Sequence, residues 1–462
     1  MDQVLSRLPG GFAAGPRARV VIVGGGFGGM AAARGLRRTD VDVLLIDRRN
    51  HQIFQPLLYQ VATAVLAPSD IAAPLRQLAT AQPNLTVQLA EVSGIDLQRR
   101  AVHAQLADAA AVDLPFDFLV LAPGASPTYF GHDEFAADAP GLKTLSDAEA
   151  IRSKILQAFE LAEMAPRFSE RERLTTFVVV GGGPTGVELA ATIAHMTRVT
   201  LRRDFRRIDP RQARIVLLEG GKRLLPSFDE DLASAARRQL NGLGIMVRTG
   251  VVAEAIDDHG VVVDGQLLPA ATVIWAAGVA ASPLSAQVGA QTDRGGRAIT
   301  QPNLETAPGS DVFVIGDAAS VIVDGKAVPG IAQGALQQGA YAARVIRSRI
   351  GGRAAPPPFR YRDQGAMAVV GKDFALLQAP GWKLSGRAAW AIWAFVHIAF
   401  LPRLQNRLRV GLQWLWSYYT GQRSSRLIAE PLSARRHLSP KASDGRGSAP
   451  ARAEAPTAPG LG

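Results

Sequence analysis

The apolar positions of this chain gather in short runs that stop abruptly at glycine, and the first such run opens a pattern that recurs. Val20 to Val23 runs into Gly24-Gly25-Gly26-Phe27-Gly28-Gly29, a small-residue stretch of helical spacing follows, and a second apolar run closes on Asp47. Runs this short, rich in β-branched residues and bounded by glycine, predict buried strands. The expected unit is strand, tight turn, helix, strand, with an acid 18 positions after Gly29. Phe177 to Val180 starts the unit again. Gly181-Gly182-Gly183-Pro184-Thr185-Gly186 is the turn, Val187 to His195 begins the helix, and Arg214 to Leu218 closes on Glu219. Here 33 positions separate Gly186 from the acid, because a basic stretch, Arg198 to Arg214, is inserted.

Each position of the unit has a chemical use. Gly24 permits the turn, Gly26 lets backbone N–H groups approach a pyrophosphate at the helix N-terminus, and Gly29 lets helix and strand pack closely. Asp47 can accept from ribose hydroxyls. Gly181, Gly183, Gly186 and Glu219 repeat these tasks. A glycine-rich turn without a ligand imitates one such fingerprint. Two, each with its acid, argue for two dinucleotides bound side by side and for electron transfer between them. An acid at 219 repels a 2′-phosphate, so NADH is expected over NADPH, although Lys222 and Arg223 nearby could accept that phosphate.

Between and after the units the pattern is less specific. Residues 51 to 76, HQIFQPLLYQVATAVLAPSDIAAPLR, are apolar and amide-rich, with Pro56, Pro68 and Pro74 breaking any long helix. They predict either a buried crossover with a helix starting near Ser69-Asp70, or a wall against a flat aromatic cofactor. Short strands are expected at Leu85 to Ala90, Glu91-Val92, Ala101 to Leu106 and Phe116 to Ala122, the last ending in the turn Leu121-Ala122-Pro123-Gly124-Ala125. Leu145 to Ala165 predicts a helix, with Ser146 as cap and Glu149 completing a capping box. Val273 to Gly278, VIWAAG, echoes the Ala122-Pro123-Gly124 turn, and Asp311 to Asp317, DVFVIGD, delivers Gly316 and Asp317 at a strand end. Asp317 suits ribityl or ribose hydroxyls, or is simply a turn acid.

The C-terminal part changes character. Ala388 to Pro402 carries no charge for 15 residues, too few to cross a bilayer unaided, which takes about 20. Leu408, Leu412, Leu415, Trp416 and Tyr419 then follow helical spacing, with Arg409, Gln413 and Thr420 on another face. Of the net charge of +11, the segment 383–436 carries nine Lys/Arg against one acid, together with Trp390, Trp393, Trp414 and Trp416. Such a segment is either a helix pair packed on the body or a monotopic anchor lying in the membrane interface, with Trp at headgroup depth and Arg on lipid phosphates. Trp beside cationic charge favours a membrane surface over nucleic acid. The first eighteen residues lack a continuous apolar core and predict a loose tail, not a signal peptide, so the catalytic part is expected on the cytoplasmic face. Pro440 to Gly462 is rich in Pro, Ala, Ser and Gly and predicts disorder. The 462 residues exceed one hydrophobic core, and the absence of cysteine removes a disulfide framework, a thiolate metal site, an iron–sulfur cluster and a redox dithiol. No metal site is expected.

The order GGGFGG, Asp47, APG, GGGPTG, Glu219, WAAG and VIGD resembles the two-dinucleotide flavoprotein reductases. The segments HQIFQPLLYQVATAVLAPSDIAAPLR, VVVGGGPTGVELAA and AQGALQQG (Ala332 to Gly339) are similar, more narrowly, to the type II NADH dehydrogenases, single-subunit NADH:quinone oxidoreductases of respiratory chains. The similarity runs from about Arg19 to Glu430. It implies an α/β fold of two Rossmann-like dinucleotide-binding domains, the FAD domain interrupted by the NADH domain, plus C-terminal amphipathic membrane-anchoring helices. The expected organisation is a tail at 1–17, FAD-binding parts at 18–130 and 298–355, a connector at 131–172 and an NADH-binding domain at 173–297. An extension near the quinone site at 356–382, anchoring helices at 383–436 and a tail at 437–462 complete it.

By the same resemblance FAD contacts Gly24, Gly26, Gly28, Gly29, Asp47, Gln55, Val92, Ala122, Gly124, Gly316 and Asp317. NADH lies on Gly181, Gly183, Gly186, Glu219, Ala277 and Gly278. Gln333 and Gln337 line the quinone pocket, and Glu188 sits where nicotinamide, flavin and quinone meet. The implied reaction passes a hydride from NADH to FAD and then two electrons to a membrane quinone, without proton pumping. Partners implied are NADH, the quinone and an anionic lipid surface, with no nucleic acid; a homodimer is compatible with it. Competing readings stay open at this point. Glu188 in the first turn of a helix is favoured by the dipole alone, Gln333 and Gln337 are i,i+4 neighbours able to bond each other, and Lys372 is either a charge near the quinone or a solvated turn lysine. Disulfide and sulfide:quinone reductases need cysteines this chain lacks. The alternative function is a soluble NAD(P)H-dependent ferredoxin- or rubredoxin-type reductase.

Overall fold

A computed structural model describes residues 16–428; most of the N-terminal tail, all of the C-terminal tail and the end of the 383–436 segment lie outside the described residues. Ala18–Val23 (β1) pairs in parallel with Val41–Asp47 (β2), and the helix Phe27–Gly35 (α1) joins them. Leu85–Asp96 (β3) continues the parallel sheet, then bends into an antiparallel meander with Ala101–Leu106 (β4) and Ala111–Pro115 (β5). Phe118–Leu121 (β6) flanks β1 on the other side. Val20 to Leu121 supply fully buried β-branched and Leu side chains here, as a sheet covered on both faces requires.

Thr176–Val180 (β7), Arg214–Glu219 (β8), Ile245–Thr249 (β9) and Thr272–Trp275 (β10) make a second parallel sheet in the order β9-β8-β7-β10. The chain then returns to the first sheet: Val312–Val314 (β11) pairs with β6, giving the order β11-β6-β1-β2-β3-β4-β5. One parallel sheet is thus interrupted by the other. Ala366–Val369 (β12), Ala375–Ala379 (β13) and Trp382–Gly386 (β14) form a small antiparallel meander.

The remaining helices wrap these sheets. Leu58–Ala62 (α2) and Leu145–Met164 (α3) pack together, Pro184–His195 (α4) follows the second glycine turn, and Ala332–Ile350 (α5) crosses α1. Arg387–Phe400 (α6) and Leu404–Thr420 (α7) are the C-terminal pair. Two local expectations are corrected. The capping box of α3 lies two residues early: Thr144 Oγ1 accepts the Asp147 N–H at 3.1 Å and Asp147 accepts the Thr144 N–H at 2.8 Å, because Thr144 is the last extended residue and Ser146 is already helical. The helix expected near Ser69-Asp70 is a single turn, Pro68–Ile71, in which Asp70 reaches back to the Ala67 N–H at 2.8 Å instead of capping.

Candidate active site

The two glycine turns share one geometry. Gly24 and Gly181 have φ of +100° and +113°, and a Cβ on either would run into the strand beside it, at the Ala122 carbonyl and at Ala276-Ala277 respectively. A methyl at Gly29 would overlap the Gly24 carbonyl, and one at Gly186 would overlap the Gly181 carbonyl. Side-chain-free positions thus seat α1 and α4 directly on their turns. Above Gly26 and Gly183, by contrast, no atom lies within 4 Å of where a Cβ would stand, which leaves the helix N-termini open. The acids complete each turn from below: Asp47 accepts the Gly25 N–H at 2.7 Å and the Arg49 N–H at 2.8 Å, while Glu219 accepts those of Gly182 at 2.5 Å and Gly221 at 2.6 Å. The carboxylates expected to read ribose therefore also hold the turns that face the pyrophosphate.

The first turn opens on a cavity of about 740 Å³. Gly24, Gly26, Gly28, Asp47, Gln55, Ala122, Gly124, Gly316 and Asp317 all line it, as does Glu188 from the other unit. Gly29 lies beneath the turn and Val92, partly buried against the sheet, is not among the lining residues. Gly28 has a second task, since α5 crosses α1 there and Gly339 has no room for a side chain over the Gly28 carbonyl. Gln55 donates to the Lys143 carbonyl at 3.3 Å, Lys143 stands 3.9 Å from Asp317, and burial raises the Asp317 carboxyl above its ordinary range. A cavity of this size with an open helix N-terminus and an acid at each of two strand ends fits a dinucleotide such as FAD.

The strand-end echoes prove to be one structure. Val279–Ala281, directly after Ala277-Gly278, pairs antiparallel with Ala125–Pro127, directly after the Ala122-Pro123-Gly124 turn. Ala277 abuts Gly181, and Gly278 lies against Phe130 and Thr128. The turns above the two sheets are thereby hydrogen-bonded to each other.

α4 borders two cavities. It starts at Gly183 in the second turn; Thr185 and Glu188, on one face, line the large cavity, and Thr192 and His195, farther along that face, line a smaller cleft of about 110 Å³. Buried Tyr59 lines both spaces. Glu188 is 9% exposed and takes one hydrogen bond, from the Val369 N–H at 3.3 Å, so burial pushes its carboxyl up to about 8. His195 is held down at about 3, by burial and then by the charges of Arg423 and Lys372.

The glutamines separate. Gln333 reaches the Gly365 carbonyl at 3.5 Å, and its buried Oε1 has no partner. Gln337 exchanges two hydrogen bonds with the backbone of Arg362, at 3.0 and 2.9 Å, so it clasps the segment ahead of β12 and neither it nor Gln333 lines the cavity. They do not bond each other. The third amide of that run, Gln338, accepts the Gly316 N–H at 2.6 Å; sequence reasoning passed over it, although it stands in the same AQGALQQG stretch.

The cleft also shows why Trp was hard to place. Trp393 and Trp414 stack at 5.0 Å and turn inward with Trp390, and Trp414 Nε1 donates to Gln60 at 2.7 Å; Trp416 and Trp382 stay exposed. Trp393 is thus buried in this cleft, and Trp390 and Trp414 are half-buried in it. Lys372 lies 4.1 Å from the Tyr418 ring centroid and donates to the Tyr418 carbonyl. Arg423, 4% exposed, donates to the Thr63 and Thr192 carbonyls and to His195 Nδ1 at 2.6, 3.1 and 3.0 Å. No motif pointed to it.

Comparison with known proteins agrees with this geometry. Residues 18–339 match the model of the pyridine nucleotide-disulphide oxidoreductase family. The chain is 40% identical to the type II NADH:quinone oxidoreductase NdhA of Mycobacterium tuberculosis, with 91% of each chain covered. It is 39% identical to the type II NADH:quinone oxidoreductase Ndh of the same organism, with 90% of this chain and 91% of that one covered. A solved structure of NDH2 from Plasmodium falciparum in complex with NADH shares the fold at a TM-score of 0.81 and 20% identity, covering 90% of this chain and all of that one. The chain belongs to the pyridine nucleotide-disulphide oxidoreductase family and, within it, to the type II NADH:quinone oxidoreductases.

Proposed function

We propose that this chain oxidises NADH and reduces a membrane quinone through bound FAD, as a peripheral enzyme on the cytoplasmic face that pumps no protons. The observation that carries the reading is the course of α4, which runs from the NADH turn past the flavin cavity to the Trp-lined cleft. FAD bound in the first cradle supplies the two-electron chemistry. The chain supplies position and proton control. The N–H groups of the two turns and the carboxylates of Asp47 and Glu219 orient the dinucleotides. Glu188, neutral at pH 7, keeps a proton on a carboxyl at the cavity wall. Gln333 keeps a buried, unpartnered amide oxygen beside the Gly365 segment. The hydrogen-bonded turns Ala125–Pro127 and Val279–Ala281 keep the cradles in register.

The lipid surface belongs to α6 and α7. No helix among the described residues is long and apolar enough to cross a membrane. Along α7, however, Leu404, Leu408, Leu412, Leu415, Trp416 and Tyr419 are all more than half exposed, an apolar stripe that fits the acyl boundary of a leaflet. The test is the absorbance of the purified protein, followed by NADH and then a quinone analogue. Bleaching of a flavin band by NADH and its return with the quinone are expected. Electrons passing only to a small iron–sulfur protein would overturn the reading in favour of a ferredoxin-type reductase.

A further inference from the structure

The basic insertion of the second unit has no task in the reaction. Of its seven arginines, three are engaged at the ends: Arg198 donates to the Gly244 carbonyl, Arg211 pairs with Asp209 and Arg214 with Glu172. Arg202, Arg203, Arg206 and Arg207 between them are exposed, and none forms an ion pair within 4 Å among the described residues. Their backbone is nevertheless fixed. Glu163 accepts the N–H groups of Arg206, Arg207 and Ile208 at 2.9 to 3.1 Å. An exposed cationic cluster with no ion pair within 4 Å, on a backbone held this firmly, is a presented charge rather than a frayed loop.

Its location says what it faces. Gly421 closes α7 in a left-handed conformation, and its carbonyl accepts Thr200 Oγ1 at 3.1 Å. A methyl at Gly421 would come 2.7 Å from Val199, itself 47% exposed, and Arg426 pairs with Asp204 in the insertion. Arg202 follows Thr200 by two residues, so its Cα lies within about 8 Å of that of Thr200, and Asp204, which meets Arg426, stands between Arg203 and Arg206. The C-terminal segment, meanwhile, keeps part of its charge for itself: Lys383 pairs with Asp229 and Asp231, Arg426 with Asp204, and Arg423 is buried.

We propose that Arg202, Arg203, Arg206 and Arg207 form a second membrane contact, an electrostatic site for the phosphate groups of anionic lipids that extends the α7 stripe onto the NADH-binding unit. The inference rests on the membrane reading given above. Apolar insertion alone lets a helix roll about its axis; a cationic site displaced from it fixes the orientation of the body over the leaflet.

The test is sedimentation of the flavin-loaded full chain with vesicles of phosphatidylcholine alone and of phosphatidylcholine mixed with phosphatidylglycerol. Replacing the four arginines by glutamine is expected to weaken binding to the anionic vesicles by about tenfold or more and to abolish most of its salt dependence, while binding to neutral vesicles stays unchanged. Replacing them by lysine should restore the anionic binding. Leu408→Ser with Leu412→Ser should weaken both, and unchanged binding to neutral vesicles in that variant would overturn the membrane reading itself. If the glutamine variant bound anionic vesicles as the parent does, the site would be refuted, and loss of RNA binding alone would assign the cluster to nucleic acid instead.

Discussion

Glu219 accepts the Gly182 N–H with one carboxylate oxygen and the Gly221 N–H with the other, so the acid proposed to read the ribose also ties together the second glycine turn. The guanidinium of its neighbour Arg223 donates to the Phe228 and Pro226 carbonyls at 2.6 and 2.9 Å, while Lys222 stays exposed. The expected outcome for Glu219→Ala is a rise in the KM for NADH of about tenfold and a narrowed preference over NADPH. Initial rates with the two nucleotides at equal concentration check it, and an unchanged ratio would remove this role from Glu219.

The cradles are separable by glycine substitution. Gly29→Ala sets a methyl against the Gly24 carbonyl and should yield protein lacking the flavin band. Gly186→Ala does the same at Gly181, and should keep that band while raising the KM for NADH about tenfold or more. The absorbance spectrum and the NADH titration read the two effects independently.

Glu188 predicts a pH dependence. Folding keeps its proton up to about pH 8, whereas the unfolded chain releases it in the ordinary carboxylate range. Between roughly pH 5 and 8 the unfolded state therefore binds fewer protons, and this group's contribution to stability falls as pH rises. Glu188→Gln should flatten that fall, so the variant gains on the parent steadily toward pH 8. Urea midpoints at several pH values measure it; parallel curves for parent and variant would show that Glu188 is ionised in the fold.

Arg423 should matter out of proportion to its position near the end of the described chain. Truncation to Met leaves the Thr63 carbonyl and His195 Nδ1 without this donor, while the Thr192 carbonyl keeps the Met196 N–H, and each buried group left bare costs roughly 1 to 3 kcal/mol. The expected loss is about 2 to 4 kcal/mol, with quenching at the Trp393–Trp414 stack altered as the cleft loosens. Chemical unfolding and tryptophan emission test it.

The sequence by itself determined the two nucleotide units, because their demands are local. A turn at Gly24 or Gly181 and a close seat at Gly29 or Gly186 are steric requirements met within one strand–turn–helix, and the closing acids follow at the next strand end. The exposed stripe Leu408, Leu412, Leu415, Trp416 and Tyr419 was legible for a similar reason, since helical period assigns residues to one face. Period does not say what covers a face. Which tryptophans turn inward, that Gln337 clasps Arg362 while Gln333 keeps a free oxygen, and that Gln338 holds Gly316 depend on elements brought together in space. The charge of the C-terminal segment likewise had one sum in the sequence and another distribution in the fold. Lys383 and Arg426 meet acids more than 150 residues away and Arg423 is buried against carbonyls of distant segments, while four arginines of an insertion in the other unit form no ion pair within 4 Å among the described residues. Such partners are chosen by tertiary packing, where burial makes each unmatched polar group costly and so decides which ones must find each other.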